Sequence, residues 1–386
     1  MFQKLILSGL FAALPLWSGL AYAGDAEDLY KLLDGKECKS ALAALQSHAG
    51  AGDAAFQLQL GLAHYFGKCT IKNERAAADW VSKAADQGNA VAQYDLGHFY
   101  AQGQGVDKDE RLAVEWYRKA AEQGDASAQT NLGFAYKTGR GVAKDERLAV
   151  EWYRKAAEQG DSSAQSNLGI SYANGQGVAK DERLAVEWYR KAAEQGYALA
   201  QSNLGYMYES GQGVRQDHDE AVRYYGMAAR QGNAWGQRNL ALMFRDGTGT
   251  ARDPIRAHAW LNLASAAEKP HPDAAKDRDA LAADLSPAQL ADAQRLAREW
   301  KLGSAMGTPR VKIAAAPPPA IEPVAATPND LFPVRPVAQA GRTSCNTRCN
   351  NGSCYRTYDN GRQVRFQAKH KYNAFTSQWE WDSGSC

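Results

Sequence analysis

Seven histidines, six cysteines and a series of glycine loops are the residues whose type and spacing could carry chemistry in this chain. The histidines, at 48, 64, 98, 218, 258, 271 and 370, show no H-x-x-x-H or H-E-x-x-H spacing, so none forms a metal-ligating helical pair. No G-x-S-x-G marks a nucleophile elbow. The "GQGV" and "GRGV" loops have glycines that could cradle phosphate, but each joins two helical segments with no strand before it, so they read as turns. Charges such as Glu115 with Arg118 and Lys119 fall at the spacing of a solvated helix face. The expectation is no catalytic residue, no bound cofactor and no metal site within this part of the chain.

The cysteines point instead to structure. Six is an even number, split between Cys38 and Cys69 near the start and Cys345, Cys349, Cys354 and Cys386 at the end. That suggests disulfides in an oxidising compartment, in two separately stapled regions. The opening "MFQKLILSGLFAALPLWSGLAYAGD" fits export: Lys4 is the positive region, Leu5 to Leu20 the apolar core, and Ala21-Tyr22-Ala23 the cleavage site. Residues 1–23 are therefore expected to be a signal peptide, and the mature chain to be periplasmic or secreted. A permanent transmembrane anchor is the alternative, weakened by Pro15 within the apolar run. No later stretch is long and apolar enough to span a bilayer. With 45 Lys and Arg against 43 Asp and Glu, no strong field recruits nucleic acid or a membrane surface.

Most of the chain is a repeat. "DERLAVEWYRKAAEQG" stands at 109–124, 145–160 and 181–196, and Trp80, Trp116, Trp152 and Trp188 are 36 residues apart. The next two steps land on Tyr224 and Trp260, giving six units of one period, which signals a solenoid. Within a unit, Ala185, Trp188, Tyr189, Ala192 and Ala193 form one apolar stripe of a second helix. Asp181 is placed to cap its start and Gly196 to end it in a left-handed turn. The first helix puts Ala164, Leu168, Gly169 and Tyr172 on one face, with Gly169 allowing close approach of a neighbour. Burying one Trp-Tyr stripe is worth several kcal/mol at roughly 25 cal/mol per Å², so the repetition reads as architecture.

The pattern A-x-A-Q-x-N-L-G-x-x-Y-x-x-G-x-G-V followed by A-x-x-W-Y-x-K-A-A-x-Q-G resembles the Sel1-like repeat family, a relative of the tetratricopeptide repeats. The resemblance spans residues 53–267, departing at "GKCTIKNE" in the first unit, Tyr224-Tyr225 in the fifth and "LALMFRDGTGT" in the sixth. It implies an all-α, right-handed α/α solenoid of helix hairpins serving as a protein-binding or adaptor surface. A cysteine-rich branch of that family is linked to penicillin binding and β-lactam hydrolysis. Its hallmark is a disulfide in each repeat, and repeats two to six here contain no cysteine, so that activity is not carried over. Residues 24–52 read as N-terminal capping helices that lost the tryptophan, and 268–302 as a C-terminal capping pair with a capping box at Ser286-Pro287-Ala288-Gln289. A Cys38–Cys69 disulfide would join loops of the first cap and the first full repeat; two unpaired thiols are the alternative.

Residues 303–340 hold eight of the chain's thirteen prolines, among many alanines. They read as a disordered, extended tether, on the order of 100 Å at ~3.1 Å per residue. The tail, 341–386, has no helical period. "CYRTYDNGRQVRFQA" is a hairpin pattern with Asn360-Gly361 in its turn, and "QWEWD" is read as a third strand. So short a segment needs staples, and two bridges are expected among Cys345, Cys349, Cys354 and Cys386, zinc being the other reading. Seven Lys and Arg face three acids there, interleaved with Tyr355, Tyr358, Phe366, Tyr372, Trp379 and Trp381. Such a module could grip an anionic or glycan component of the envelope, or could simply be a basic hairpin with an aromatic core.

A protein partner is expected in the concave groove, which first helices line in proteins this sequence resembles. The side of each first helix away from the packing face varies between units. It carries Tyr94, His98 and Gln102, then Thr130, Phe134 and Thr138, then Ile170 and Asn174, then Tyr206 and Ser210. Neutral drift of exposed residues would give the same variation. The leading expectation is a non-enzymatic scaffold for protein–protein interaction in the cell envelope. The alternatives are a wall-acting protein whose glycan-binding or hydrolytic activity sits in the tail, and a periplasmic immunity or inhibitor protein for a secreted toxin or enzyme.

Overall fold

The computed structural model describes residues 26–307 in full and, beyond them, the backbone of five strands. Two helices precede the repeats, α1 (Ala26–Leu32) and α2 (Cys38–Gly50). The six units follow as pairs: α3 (Ala54–Phe66) and α4 (Glu74–Asp86), α5 (Ala90–Gln102) and α6 (Glu110–Glu122), α7 (Ala126–Thr138) and α8 (Glu146–Glu158). Then come α9 (Ser162–Asn174) and α10 (Glu182–Glu194), α11 (Ala198–Ser210) and α12 (His218–Arg230), α13 (Ala234–Asp246) and α14 (Pro254–Ala266). Two more, α15 (Ala274–Ala282) and α16 (Pro287–Glu299), close the stack against α14. From α1 to α15 each helix packs on the next in chain order, and α16 packs on α14, so the helices form a solenoid of pairs.

The sequence imposes this locally. Asp109, Asp145 and Asp181 each accept two backbone N–H groups at the start of α6, α8 and α10, which satisfies donors that a helix start leaves open. Gly103, Gly139 and Gly175 end α5, α7 and α9 with left-handed φ near +70°, and Ser286 with Gln289 forms a capping box on α16. Gly169 lets α9 approach α10, because a Cβ there would lie 2.6 Å from the Tyr189 ring.

The interior is rich in alanine and tyrosine: Ala149, Val150, Tyr153, Ala156 and Leu168 form one buried cluster, and the equivalents recur in each unit. The tryptophans differ from the expected buried stripe. Trp116, Trp152 and Trp188 are half-buried, each covering the cluster of the preceding unit. The outer face of each carries the ammonium of the lysine three residues on, 3.7 to 4.0 Å from the ring centroid. The side chain reaches back over its neighbour, and the lysine covers what is left. Only at the last unit is the tryptophan enclosed: Trp260 is buried beneath Trp300, ring centroids 5.6 Å apart.

A ladder of glutamines runs through the same junctions. Gln165 donates to the Ala157 carbonyl at 3.2 Å and accepts from Gln195 Nε2 at 2.8 Å, tying α8, α9 and α10 together. The motif repeats from Gln57 to Gln231. It stops at Gln237, whose Oε1 is buried without a donor. The sixth unit has Ala267 where the others carry the second glutamine, and its backbone turns extended there.

Cys38 and Cys69 are joined by a disulfide with Cα atoms 5.7 Å apart, linking the start of α2 to the loop after α3. In the tail, β1 (Cys345–Asn350), β2 (Ser353–Tyr358) and β3 (Gln363–Gln367) form an antiparallel sheet in that order. The segment "QWEWD" is β5 (Gln378–Asp382), but it does not complete that sheet. It pairs with β4 (Lys369–Asn373) in a separate two-stranded sheet, and the third strand of the first sheet is β1. Cys349 stands opposite Cys354 in the register. The first residues of the expected tether pack on the solenoid instead, the Gly303 N–H donating to the Arg230 carbonyl at 2.7 Å and Met306 covering the last core cluster. Residues 308–340, the expected tail bridges, the signal peptide and the Asn360-Gly361 turn lie outside the described residues. No described helix is long and apolar enough to cross a membrane.

Candidate functional site

Two first helices and the loop after the second build a cavity. Asn89 caps α5 by accepting the Ala92 N–H at 2.9 Å, and Asp125 caps α7 from the Ala128 N–H at 2.7 Å. With the starts fixed, Tyr94, His98 and Gln102 fall one turn apart along α5, facing Asn131 and Phe134 of α7. The loop from Gly139 brings Arg140 over Phe134, its guanidinium 5.5 Å from the ring centroid. These residues line a cavity of about 400 Å³ together with Lys108 and Glu110, themselves ion-paired at 3.2 Å.

The floor is aromatic and partly polar. Tyr94 and the buried Tyr117 lie with ring centroids 5.9 Å apart. Burial raises both phenols above the ordinary tyrosine value, and the Asn131 amide beside them pulls the other way. The lining contains no serine, threonine or cysteine nucleophile. Among the described residues no three His, Cys, Asp or Glu side chains stand together as a metal would require. The chemistry on offer is recognition: an aromatic face, a guanidinium, and amide and imidazole hydrogen-bonding groups.

The structure sorts the sequence candidates. Tyr94, His98, Gln102 and Phe134 meet in the cavity. Thr130 is buried, its hydroxyl within donating reach of the Ala126 carbonyl at 3.0 Å and of the Asp161 carboxylate at 3.1 Å, so it serves the stack rather than a partner. Thr138 and Ser210 donate to carbonyls of their own helices, Phe134 and Tyr206, each at 2.8 Å. Ile170 packs on the cluster of Val186 and Leu204. Asn174 is exposed at the end of α9, and Tyr206 stands 49% exposed two units beyond the cavity. Sequence reasoning missed Arg140, Asn131, Lys108 and Glu110. The signal for Arg140 was present, since the same loop position holds glutamine in three other units, at Gln104, Gln176 and Gln212.

Beside the cavity, Asp95 occupies the place where the next four units carry Asn131, Asn167, Asn203 and Asn239. Burial and the nearby Asp125 carboxylate push its carboxyl up to about 6 from an ordinary 3.8. A carboxyl raised on folding costs the folded state most above that value, and the cost fades as pH falls toward 4. Asp95→Asn is therefore expected to stabilise the protein by about 1–2 kcal/mol at pH 7.5, after discounting the full shift for solvent screening. The gain should vanish near pH 4 in denaturant titrations; a gain independent of pH would contradict the assignment.

The stack of repeated helix pairs places the described helices in the α-solenoid class, a scaffold suited to protein–protein interaction. Its family is equally plain. The Sel1 repeat profile matches residues 54–89, 90–125, 126–161, 162–197, 198–233 and 236–268, and the chain belongs to the Sel1 repeat family. Among solved structures, a Sel1 repeat protein from Oxalobacter formigenes is 34% identical with a TM-score of 0.59, over 64% of this chain and 98% of that one. A protective antigen of uropathogenic Escherichia coli with the same fold is 37% identical with a TM-score of 0.57, over 67% of this chain. The match spans 56% of that antigen's chain. No curated protein matches this sequence.

Proposed function

We propose that this Sel1 repeat scaffold is exported and holds a partner protein along the variable side of its first helices, with the partner's anchor seated in the cavity between α5 and α7. The observation that carries the reading is the meeting of Phe134 with Arg140 at that cavity. A 42% exposed aromatic ring and a guanidinium stand together there, a pairing the same two positions do not repeat elsewhere: they hold Leu62 with Lys68, His98 with Gln104, Ile170 with Gln176, Tyr206 with Gln212 and Leu242 with Thr248. A ring beside a cation is the pairing that anchors protein interfaces. Export is supported by the leader pattern in residues 1–23 and by the Cys38–Cys69 disulfide.

The test uses a photo-crosslinking residue at position 134 of the full chain in cells, with position 151 on α8 as a control elsewhere on the surface. One partner is expected from 134 and not from 151. Its affinity for the purified chain should fall at least about tenfold in Phe134→Ala combined with Arg140→Glu, equivalent to ~1.4 kcal/mol. Unchanged affinity in that double variant would reject the site.

A further inference from the structure

We propose that the start of α11 is a carboxylate-binding site, where a carboxylate from outside the chain takes the place of a missing helix cap. Of the first helices in the six units, five begin on a side chain that accepts a first-turn N–H: Asp53, Asn89, Asp125, Asp161 and Asn233. The thirteen-residue α11 begins on Tyr197, which makes no such bond. Its backbone nevertheless has the same cap geometry, φ −68° and ψ 108° against −61° and 113° at Asp161. The single oxygen of Tyr197 is occupied elsewhere, 3.4 Å from Ser163 Oγ. The turn is shaped for an acceptor and lacks one.

A second observation comes from the helix before. In the third unit Thr130 reaches across to the next cap, its hydroxyl 3.1 Å from Asp161 Oδ1, while the same oxygen accepts the Ala164 N–H at 2.6 Å. One carboxylate thus gathers a helix N-terminus and a buried hydroxyl from the neighbouring unit. Thirty-six residues on, Ser166 stands in the position of Thr130, which by the repeat geometry is the position next to the start of α11. It is 1% exposed, and its Oγ has no partner. The acceptor it lacks is the oxygen that Tyr197 does not supply.

The donors converging there, a serine hydroxyl and the free N–H groups at the start of a helix, match those holding the Asp161 carboxylate. The partial positive charge of the helix start adds to the preference for an anion. The group that fits is a carboxylate, from a small free acid or from an acidic side chain of a bound peptide. This site lies apart from the cavity of the second and third units, and it stands whether or not that cavity binds protein.

The test is an amide-resolved NMR titration of the full chain at constant ionic strength, using sodium acetate and the peptide acetyl-Ala-Glu-Ala-amide, with sodium chloride as reference. Saturable downfield shifts are expected at the Leu199 and Ala200 amides and not at Ala164, whose cap is already filled. Tyr197→Asp, which restores an internal cap, should abolish them, and Tyr197→Phe should keep them. Tighter binding of the peptide than of acetate identifies a protein-borne carboxylate as the source, and the reverse identifies a free acid. No saturable shift with either probe, or shifts that persist in Tyr197→Asp, would overturn the proposal.

Discussion

Gly141→Ala is expected to cost the protein about 4 kcal/mol, the largest effect of any single methyl group in the stack. Two causes combine. The residue sits at φ +68°, where an alanine is strained. Its missing Cβ also points at the Glu110 carbonyl at the start of α6, and the added carbon would collide with it. The loop after α7 lies directly on the preceding unit, so relief requires prising two units apart. Gly124→Ala separates the two causes. It has φ +98° but no atom within 4 Å of the added carbon, so it reports the backbone cost alone, about 1–2 kcal/mol. Denaturant unfolding of both variants should show Gly141→Ala to be the worse by at least about 2 kcal/mol. Equal losses would mean that the loop-to-helix contact does not hold the units together.

Gln165→Leu is expected to cost about 2–3 kcal/mol although it exchanges a polar buried side chain for an apolar one of similar size. Gln165 is 4% exposed, and its amide stands at the meeting of three helices. Leucine there leaves Gln195 Nε2 without its acceptor and removes a donor from the Ala157 carbonyl. The measurement that checks the mechanism is a double-mutant cycle with Gln195→Ala. Because the two amides bond to each other, the second substitution should cost less in the leucine background, with a coupling of about 1 kcal/mol or more. Additive losses would show that the ladder contributes no more than two separate side chains.

Glutamine is also where sequence reading fell short. The motif "AEQG" ends α6, α8 and α10 in a polar tract, and nothing in a hydrophobic period pairs its glutamine with a buried one 30 residues earlier. The caps were different. Asp181, Gly175 and the Ser286 capping box were legible because each acts on backbone within a few residues of itself. The tryptophans were legible in spacing but not in environment. Their helix phase puts them on the packing face, yet the ring reaches the edge of the neighbouring unit and leaves its outer side to a lysine.

The candidate site divides in the same way. Variation between units pointed to Tyr94, His98, Gln102 and Phe134, and these do share a cavity. Identical variation at Thr130, Thr138 and Ile170 carries no such meaning, since two of these hydrogen-bond to backbone and the third packs inward. What a side chain already bonds to or packs against, not variability, separates the two groups.

Sequence alone determined the period, the two helices per unit, their starts and ends, and the apolar face each must bury. These follow from short-range rules: backbone satisfaction at helix ends, glycine at positive φ, and periodicity along one helix. Only the tertiary structure decided which side chains meet across units, as in the glutamine ladder and Asp95 beside Asp125, and left Ser166 buried without a partner where Tyr197 provides no cap. Those contacts join residues roughly one repeat apart, and a side chain's neighbours at that distance are set by how the units stack, which no local pattern encodes.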